Sequence, residues 1–134
     1  MPLKNTLRQY QVVASQSMTS TITSAPTNIQ NLDDVGVQFN FTGAPVGNFR
    51  VQVSADYAQD AEGNVQNPGN WVPLLFTYWN GSAFVTSYDI PTTQGSPYYI
   101  DLALLSAPFI REVYTPTSGS GTLSIYITAK SVSG

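Results

Sequence analysis

The chain has neither cysteine nor histidine among its 134 residues. Those absences remove the thiol nucleophile, disulfides, the commonest general base near neutral pH and the usual ligand sets for zinc and iron–sulfur clusters. Charge is scarce too: five basic and eight acidic side chains make up 10% of residues, against about 25% in an ordinary globular domain. The cations Lys4, Arg8, Arg50, Arg111 and Lys130 are scattered, so no basic patch can neutralise a phosphate backbone and nucleic acid is not an expected partner. No run approaches the roughly 18 apolar residues that cross a bilayer, and no apolar signal core follows Lys4 and Arg8. Synthesis in a cytoplasm is expected, with no membrane partner.

What remains is neutral and polar: Ser and Thr number 14 each, Asn and Gln nine each, beside two Trp, eight Tyr and six Phe. One domain is expected at this length, able to bury about two-thirds of its unfolded surface. Wherever a period is visible it is two. Val35, Val37, Phe39 and Phe41 alternate with polar residues or glycine, as do Phe49, Val51 and Val53. This predicts two half-buried strands joined as a hairpin through the turn residues 43–48. Val72, Leu74, Phe76 and Tyr78 predict a third strand. Asn80-Gly81 then suits the two positive φ angles of a type I′ turn before a return strand over 83–87.

Further strands are expected at 98–104, 109–115 and 122–130, the last two joined as a hairpin by Ser118-Gly119-Ser120-Gly121. Segments 10–14 and 18–24 add two more, the second rich in β-branched residues. About eight short strands without an amphipathic helix predict an all-β, single-domain antiparallel β-sandwich, with a jelly roll preferred, because two sheets each apolar on one face cover each other. The sandwich is expected over 10–134 and a flexible N-terminal arm over 1–9.

Candidate chemistry is sparse. Asp56, Asp60 and Glu62 fall in a surface loop over 56–70, but their spacing is not that of an EF-hand and Glu62-Gly63-Asn64 reads as a turn, so no metal is expected. Asp89, Asp101 and Glu112 are the strand-associated acids, and paired carboxylates for glycoside hydrolysis must face each other, which their spacing does not impose. Serine chemistry has only a lysine such as Lys130 for a base, and neither G-x-S-x-G nor S-x-x-K occurs. No catalytic residue, cofactor or enzymatic activity is expected. The glycosylation patterns at Asn40 and Asn80 fall in a strand and a tight turn and read as chance.

Aromatics are the most informative feature. Phe39, Phe41, Phe49, Phe76 and Phe109 have core phase, whereas Trp71 and Trp79 fall opposite the apolar positions of their strand. Tyr57, Tyr88, Tyr99, Tyr114 and Tyr126 read as at least partly outward. Rings with a polar tip on a sandwich surface stack on sugars or anchor protein interfaces. The interface or ligand-stacking candidates are Tyr57, Trp71, Trp79, Tyr99, Arg111 and Tyr114.

The succession Val35-Gly36-Val37-Gln38-Phe39, then the run from Phe49 through Ser54-Ala55-Asp56-Tyr57, then Asn70-Trp71-Val72-Pro73-Leu74, resembles small β-sandwich structural proteins of tailed bacteriophages. Tyr99-Ile100-Asp101-Leu102, Pro108-Phe109-Ile110-Arg111 and Ser118-Gly119-Ser120-Gly121 continue it, over roughly residues 20–130. The layout is more distantly similar to galactose-binding-like jelly rolls, in which a strand ending in Ser, an acidic turn, a Trp and a later exposed Arg recur, as at Ser54, Asp56, Trp71 and Arg111; the cysteine pair common there is missing. The phage resemblance implies a virion component made in the host cytoplasm, foremost a capsid decoration or cement protein. Its expected partners are the major capsid protein or other virion proteins and copies of itself, a trimer being one arrangement. A carbohydrate-binding module or tail or fibre adhesin is the alternative, with a glycan as ligand.

Overall fold

A computed structural model describes residues 4–30, 32, 34–103 and 106–133. In chain order the strands are β1 (Lys4–Ser17), β2 (Ile22–Thr23), β3 (Thr27–Asn28), β4 (Asp34–Gly43), β5 (Val46–Ser54), β6 (Ala58–Gln59) and β7 (Val65–Asn67). They continue with β8 (Val72–Pro73), β9 (Phe76–Trp79), β10 (Phe84–Ser87), β11 (Ile90–Pro91), β12 (Tyr98–Ala103), β13 (Phe109–Ser118) and β14 (Gly121–Ser133). The helical content among the described residues is one 3-10 turn, Thr92–Gln94.

Two antiparallel sheets face each other. The first runs β1-β14-β4-β12. The second is centred on β5 and β13; β2 and β3 share the far edge of β13, and β8 and β11 share the far edge of β5. With each sharing pair counted as one interrupted strand, eight strands lie in the orders 1-8-3-6 and 2-7-4-5, the arrangement of a jelly roll. The expected all-β sandwich is the fold observed.

The pairing differs from expectation at two of the three predicted hairpins, those over 43–48 and 118–121, while the strands either side of Asn80-Gly81 do pair. β4 pairs in the first sheet and β5 in the second, and β13 and β14 are divided in the same way. The linking residues are therefore corners of the roll. Alternation marks the apolar face of each strand but not which sheet that face belongs to. The two corners lie against each other: the Ala44 N–H donates to the Ser120 carbonyl at 3.0 Å. A Cβ on Gly119, whose φ is +76°, would stand 2.2 Å from the Ala44 carbonyl oxygen, so only glycine fits there.

Other boundaries shift for local reasons. The strand expected from 72 to 78 breaks after Pro73, because Val72–Pro73 pairs with β5 and the chain then leaves the sheet as the β9–β10 hairpin. In its turn only Gly81 has positive φ, and the Asn80 side chain accepts from the N–H groups of Ser82 and Ala83, so a type I′ turn at Asn80-Gly81 is not formed. The strand expected at 18–24 contracts to Ile22–Thr23, and that at 10–14 extends to Lys4–Ser17. Of the expected arm, residues 1–3 lie outside the described residues, while Lys4 to Gln9 pair with β14 from Ser133 to Thr128. Leu104, placed in a strand from sequence, also lies outside the described residues.

The core follows from the inner faces. Val37 and Phe39 of β4, Leu123, Ile125 and Ile127 of β14, and Ile100 and Leu102 of β12 meet Phe49 and Val51 of β5 and Ile110 and Tyr114 of β13. Each fully buried side chain of this size contributes about 1.5–3 kcal/mol of transfer free energy. Phe49 is the keystone, stacked on Phe39 at 4.4 Å between ring centroids and tilted against Tyr114 at 5.2 Å. Tyr114, expected to face partly outward, is 0% exposed. It shares the inner phase of Ile110, and a Cβ on Gly47 would lie only 2.6 Å from its hydroxyl oxygen, so the missing side chain makes room for the phenol.

Candidate functional site

The strand carboxylates do not converge. Glu112 points into the core with no exposure, Asp89 pairs with Arg50, and Asp101 lies exposed on the outer face of the first sheet. Burial pushes the Glu112 carboxyl up to about 7, opposed in part by the Ser24 hydroxyl that donates to it at 3.1 Å. Among the described residues no group of three or more acidic side chains is placed to hold a metal.

The loop over 56–70 is an ordered hairpin, β6–β7, with a closed neck. Asp56 accepts from the Asn70 backbone N–H and side-chain amide, both at 2.7 Å, and from the Ser54 hydroxyl at 2.9 Å. Asp60 accepts from the backbone N–H groups of Glu62 and Asn64 and from the side chains of Asn64 and Gln66. Hydrogen bonds from Asn70 to Asp56 and from Asn64 to Asp60 lead in holding both carboxyls below the ordinary carboxylate range. Their oxygens thus organise the loop, as a turn explains and a cation site does not require.

This neck brings three of the sequence candidates together. Tyr57 folds edge-on over Phe109 at 4.8 Å and lies 5.4 Å from Trp71. Arg111 stacks over the Trp71 ring at 4.3 Å and donates through Nε to Gln52 at 2.8 Å. Burial lowers the Arg111 guanidinium from its usual value. Phe109, given core phase from sequence, instead sits beneath the loop on the outer face of the second sheet, because Ile110 and Tyr114 take the inner face of β13. Tyr57 is buried and Trp71 and Arg111 are half-buried, so this cluster pins the loop to the sheet and offers little free ring surface.

The other two aromatic candidates stand free. Tyr99 is 53% exposed and lies across Gly36 on the outer face of the first sheet. Trp79 is 53% exposed and meets Phe84, 75% exposed, edge-on at 5.1 Å on the outer side of the β9–β10 hairpin. The inner side of that hairpin packs Phe76 and Tyr78 on the core beside Tyr98, closing the flank where β12 ends one sheet and β8 and β11 end the other.

Sequence reasoning by strand phase singled out Trp79 but missed its partner Phe84 and the character of the whole segment. Residues 63–88 contain no charged side chain. Among the described residues, six of the eight large apolar side chains most exposed to solvent fall within it: Val65, Val72, Leu75, Trp79, Phe84 and Tyr88. The longest charge-free stretch was visible in the sequence; that six of its large apolar residues stay exposed while Leu74, Phe76 and Tyr78 pack on the core was not. The Thr77 and Thr86 hydroxyls, 2.9 Å apart, add neutral polarity to the same side of the hairpin.

No protein-family model matches the chain, and no curated protein matches it. Among solved structures it is similar to SPBc2 prophage-derived protein YomS, with a TM-score of 0.57 and 10% identity over 96% of each chain. It also aligns with FLHE at a TM-score of 0.37 and 10% identity over 98% of each chain. The likeness to YomS extends over nearly the whole roll and is one of fold.

Proposed function

We propose that the chain is a non-enzymatic structural protein of a tailed-phage virion, a decoration or cement protein that strengthens the capsid through contacts with the shell and between copies of itself. The observation that carries this reading is the Trp79–Phe84 pair, two rings exposed side by side on the β9–β10 hairpin, in a segment of sequence, residues 63–88, that has no charged side chain of its own. Interface centres are depleted in charge and enriched in aromatics, and exposed apolar surface of this kind has a cost in water that association removes. A hairpin without charged side chains also suits a symmetric assembly, because a residue close to a rotation axis meets its own copy and like charges there would repel. The sequence resemblance to phage structural proteins and the shared fold with a prophage-derived protein point the same way.

The test is mass by light scattering across a dilution series, followed by heat release of capsids with and without the protein. A discrete oligomer, or a shell that melts later when decorated, is the expected result; Trp79→Ala with Phe84→Ala reduces the mass or the shell binding while leaving the fold intact. A wild-type protein that stays monomeric and neither binds nor stabilises shells overturns the reading.

A further inference from the structure

The structure carries a second surface, on the outer face of the first sheet, which adjoins that flank at β12. Tyr99 and Asp101 are two apart on β12 and therefore on one face; Gln38 lies directly opposite Tyr99, and Gly36 directly opposite Asp101. On the far side of β4, Thr128 of β14 is opposite Gly36 and Tyr126 is opposite Gln38. The Tyr99 ring reaches over β4 into a specific vacancy: a Cβ on Gly36 would stand 1.9 Å from the phenol oxygen and 2.5 Å from the adjoining ring carbon. The hydroxyl end of the ring thus lies over the Gly36 backbone, while about half of the side chain stays in solvent.

Around this platform the polar groups are short and neutral, or balanced. A depression of about 250 Å³ runs over Gly36 between Tyr99, Asp101, Thr128 and Lys130. It meets a second one, of about 300 Å³, at Thr128, lined by Gln9, Gln38, Asn40 and Tyr126. Gln38 donates to Asn40 at 2.9 Å, which fixes both amide planes. Asp34 and Lys130 face each other at 3.6 Å and cancel, leaving the exposed Asp101 as the unpaired charge among these residues.

We infer that this face binds a neutral glycan, one pyranose stacking its C–H face on Tyr99 while its ring hydroxyls bond to Gln38, Asp101 and Thr128. An exposed flat ring bordered by amide, hydroxyl and carboxylate groups matches a ligand that is apolar on its faces and hydrogen-bonding around its rim. The carboxylate accepts from adjacent hydroxyls, and the amides donate and accept. Asp101, together with a net charge of −3, disfavours acidic sugars and nucleotides, whose phosphates or carboxylates would meet it. The contiguous second depression gives room for a further sugar unit along β4 beside Tyr126.

The inference is independent of the decoration reading and is tested with the intact protein. Saturation-transfer NMR is run against two series of neutral oligosaccharides, one of hexoses and one of N-acetylhexosamines, each up to about 10 mM, the range of weak single-site binding. Saturable transfer with at least one series is expected. Tyr99→Ala and Gly36→Ala, the second displacing the ring without removing it, both weaken binding by roughly tenfold or more. Tyr99→Phe retains the stacking and most of the affinity, and Trp79→Ala changes nothing. Thermal midpoints identify any variant that fails to fold, in which case Gln38→Ala, a change of one half-exposed amide, replaces it and must also weaken binding. Absence of transfer from the wild type with both series, or affinity unchanged in folded Tyr99→Ala, overturns the inference. Loss of oligomerisation in the flank variants with glycan binding intact separates this site from the proposed function.

Discussion

Ser24 and Glu112 hold each other inside the sandwich by three hydrogen bonds. The Ser24 hydroxyl donates to the Glu112 carboxyl at 3.1 Å and accepts from the Glu112 backbone N–H at 2.9 Å, and the Ser24 N–H donates to the Glu112 carbonyl at 2.9 Å. The second carboxyl oxygen has no partner among the described residues. Among the described residues no cation pairs with it, and Arg111, next along β13, stacks on Trp71 across the opposite face.

A pH dependence follows with a definite sign. Burial raises Glu112 in the folded chain from 4.5 to about 7, so the folded state keeps its proton where the unfolded chain has lost it. The stability from the neutral acid is complete below about 4.5, falls as pH rises through about 7 and is level beyond; the total is on the order of 3 kcal/mol. Glu112→Gln keeps the bond to Ser24 without the titration. Urea unfolding from pH 5 to 8 should show the wild type losing stability and the variant staying flat; equal slopes would remove Glu112 as the cause.

Acid should act differently on the β6–β7 hairpin. Asp56 and Asp60 are held low by their hydrogen bonds, so their contribution is present above the unfolded value of 3.8 and is lost as pH falls below it. Asp56→Ala mimics that loss at neutral pH. Faster amide exchange across residues 58–67 and a red-shifted Trp71 emission are expected, with the roll itself intact. Unchanged exchange in that segment would show that the Tyr57 and Trp71 packing holds the loop without the neck.

The hydroxyl of Tyr114 is buried without a partner among the described residues. Removing it leaves nothing unpaired, so Tyr114→Phe should be neutral or stabilise by about 1 kcal/mol in chemical denaturation. A loss of that size would show that the hydroxyl has a hydrogen-bond partner, a water included.

Two glycines with positive φ should respond unequally to alanine. At Gly63 no atom lies within 4 Å of the new Cβ, and the cost is the conformational strain alone, about 1 kcal/mol. At Gly119 the same strain is joined by the clash with the Ala44 carbonyl, and a loss of about 2–4 kcal/mol is expected. Similar midpoints for the two variants would mean that the corners can separate without cost.

Exposed and buried aromatics provide the contrast behind the proposed function. Phe49→Ala removes the ring between Phe39 and Tyr114 and should cost about 3–5 kcal/mol. Phe84→Ala removes a ring with little packing and should stay within about 0.5 kcal/mol while lowering association. A large destabilisation from Phe84→Ala would place that side chain in the fold and not at an interface.

The sequence by itself determined the long alternating strands and the apolar faces of β4, β5 and β14, though not that of β13, where Tyr114 and not Phe109 is in the core cluster. Val37 and Phe39, Phe49 and Val51, and Leu123, Ile125 and Ile127 are inward because a pleated chain turns every second side chain to one side. It also determined, through missing histidine and cysteine and scarce charge, which chemistries are hard to build. The assignment of strands to sheets depended on tertiary structure, because β4 and β5, or β13 and β14, have the same alternation whether they pair or part at a corner. Tyr114 and Tyr99 show the limit for single residues. Each is a tyrosine in an alternating strand, and each lies against a glycine, Gly47 or Gly36, far away in sequence. One ring is enclosed between two sheets and the other lies in the open, since only the assembled roll decides which side of each strand has a second layer over it.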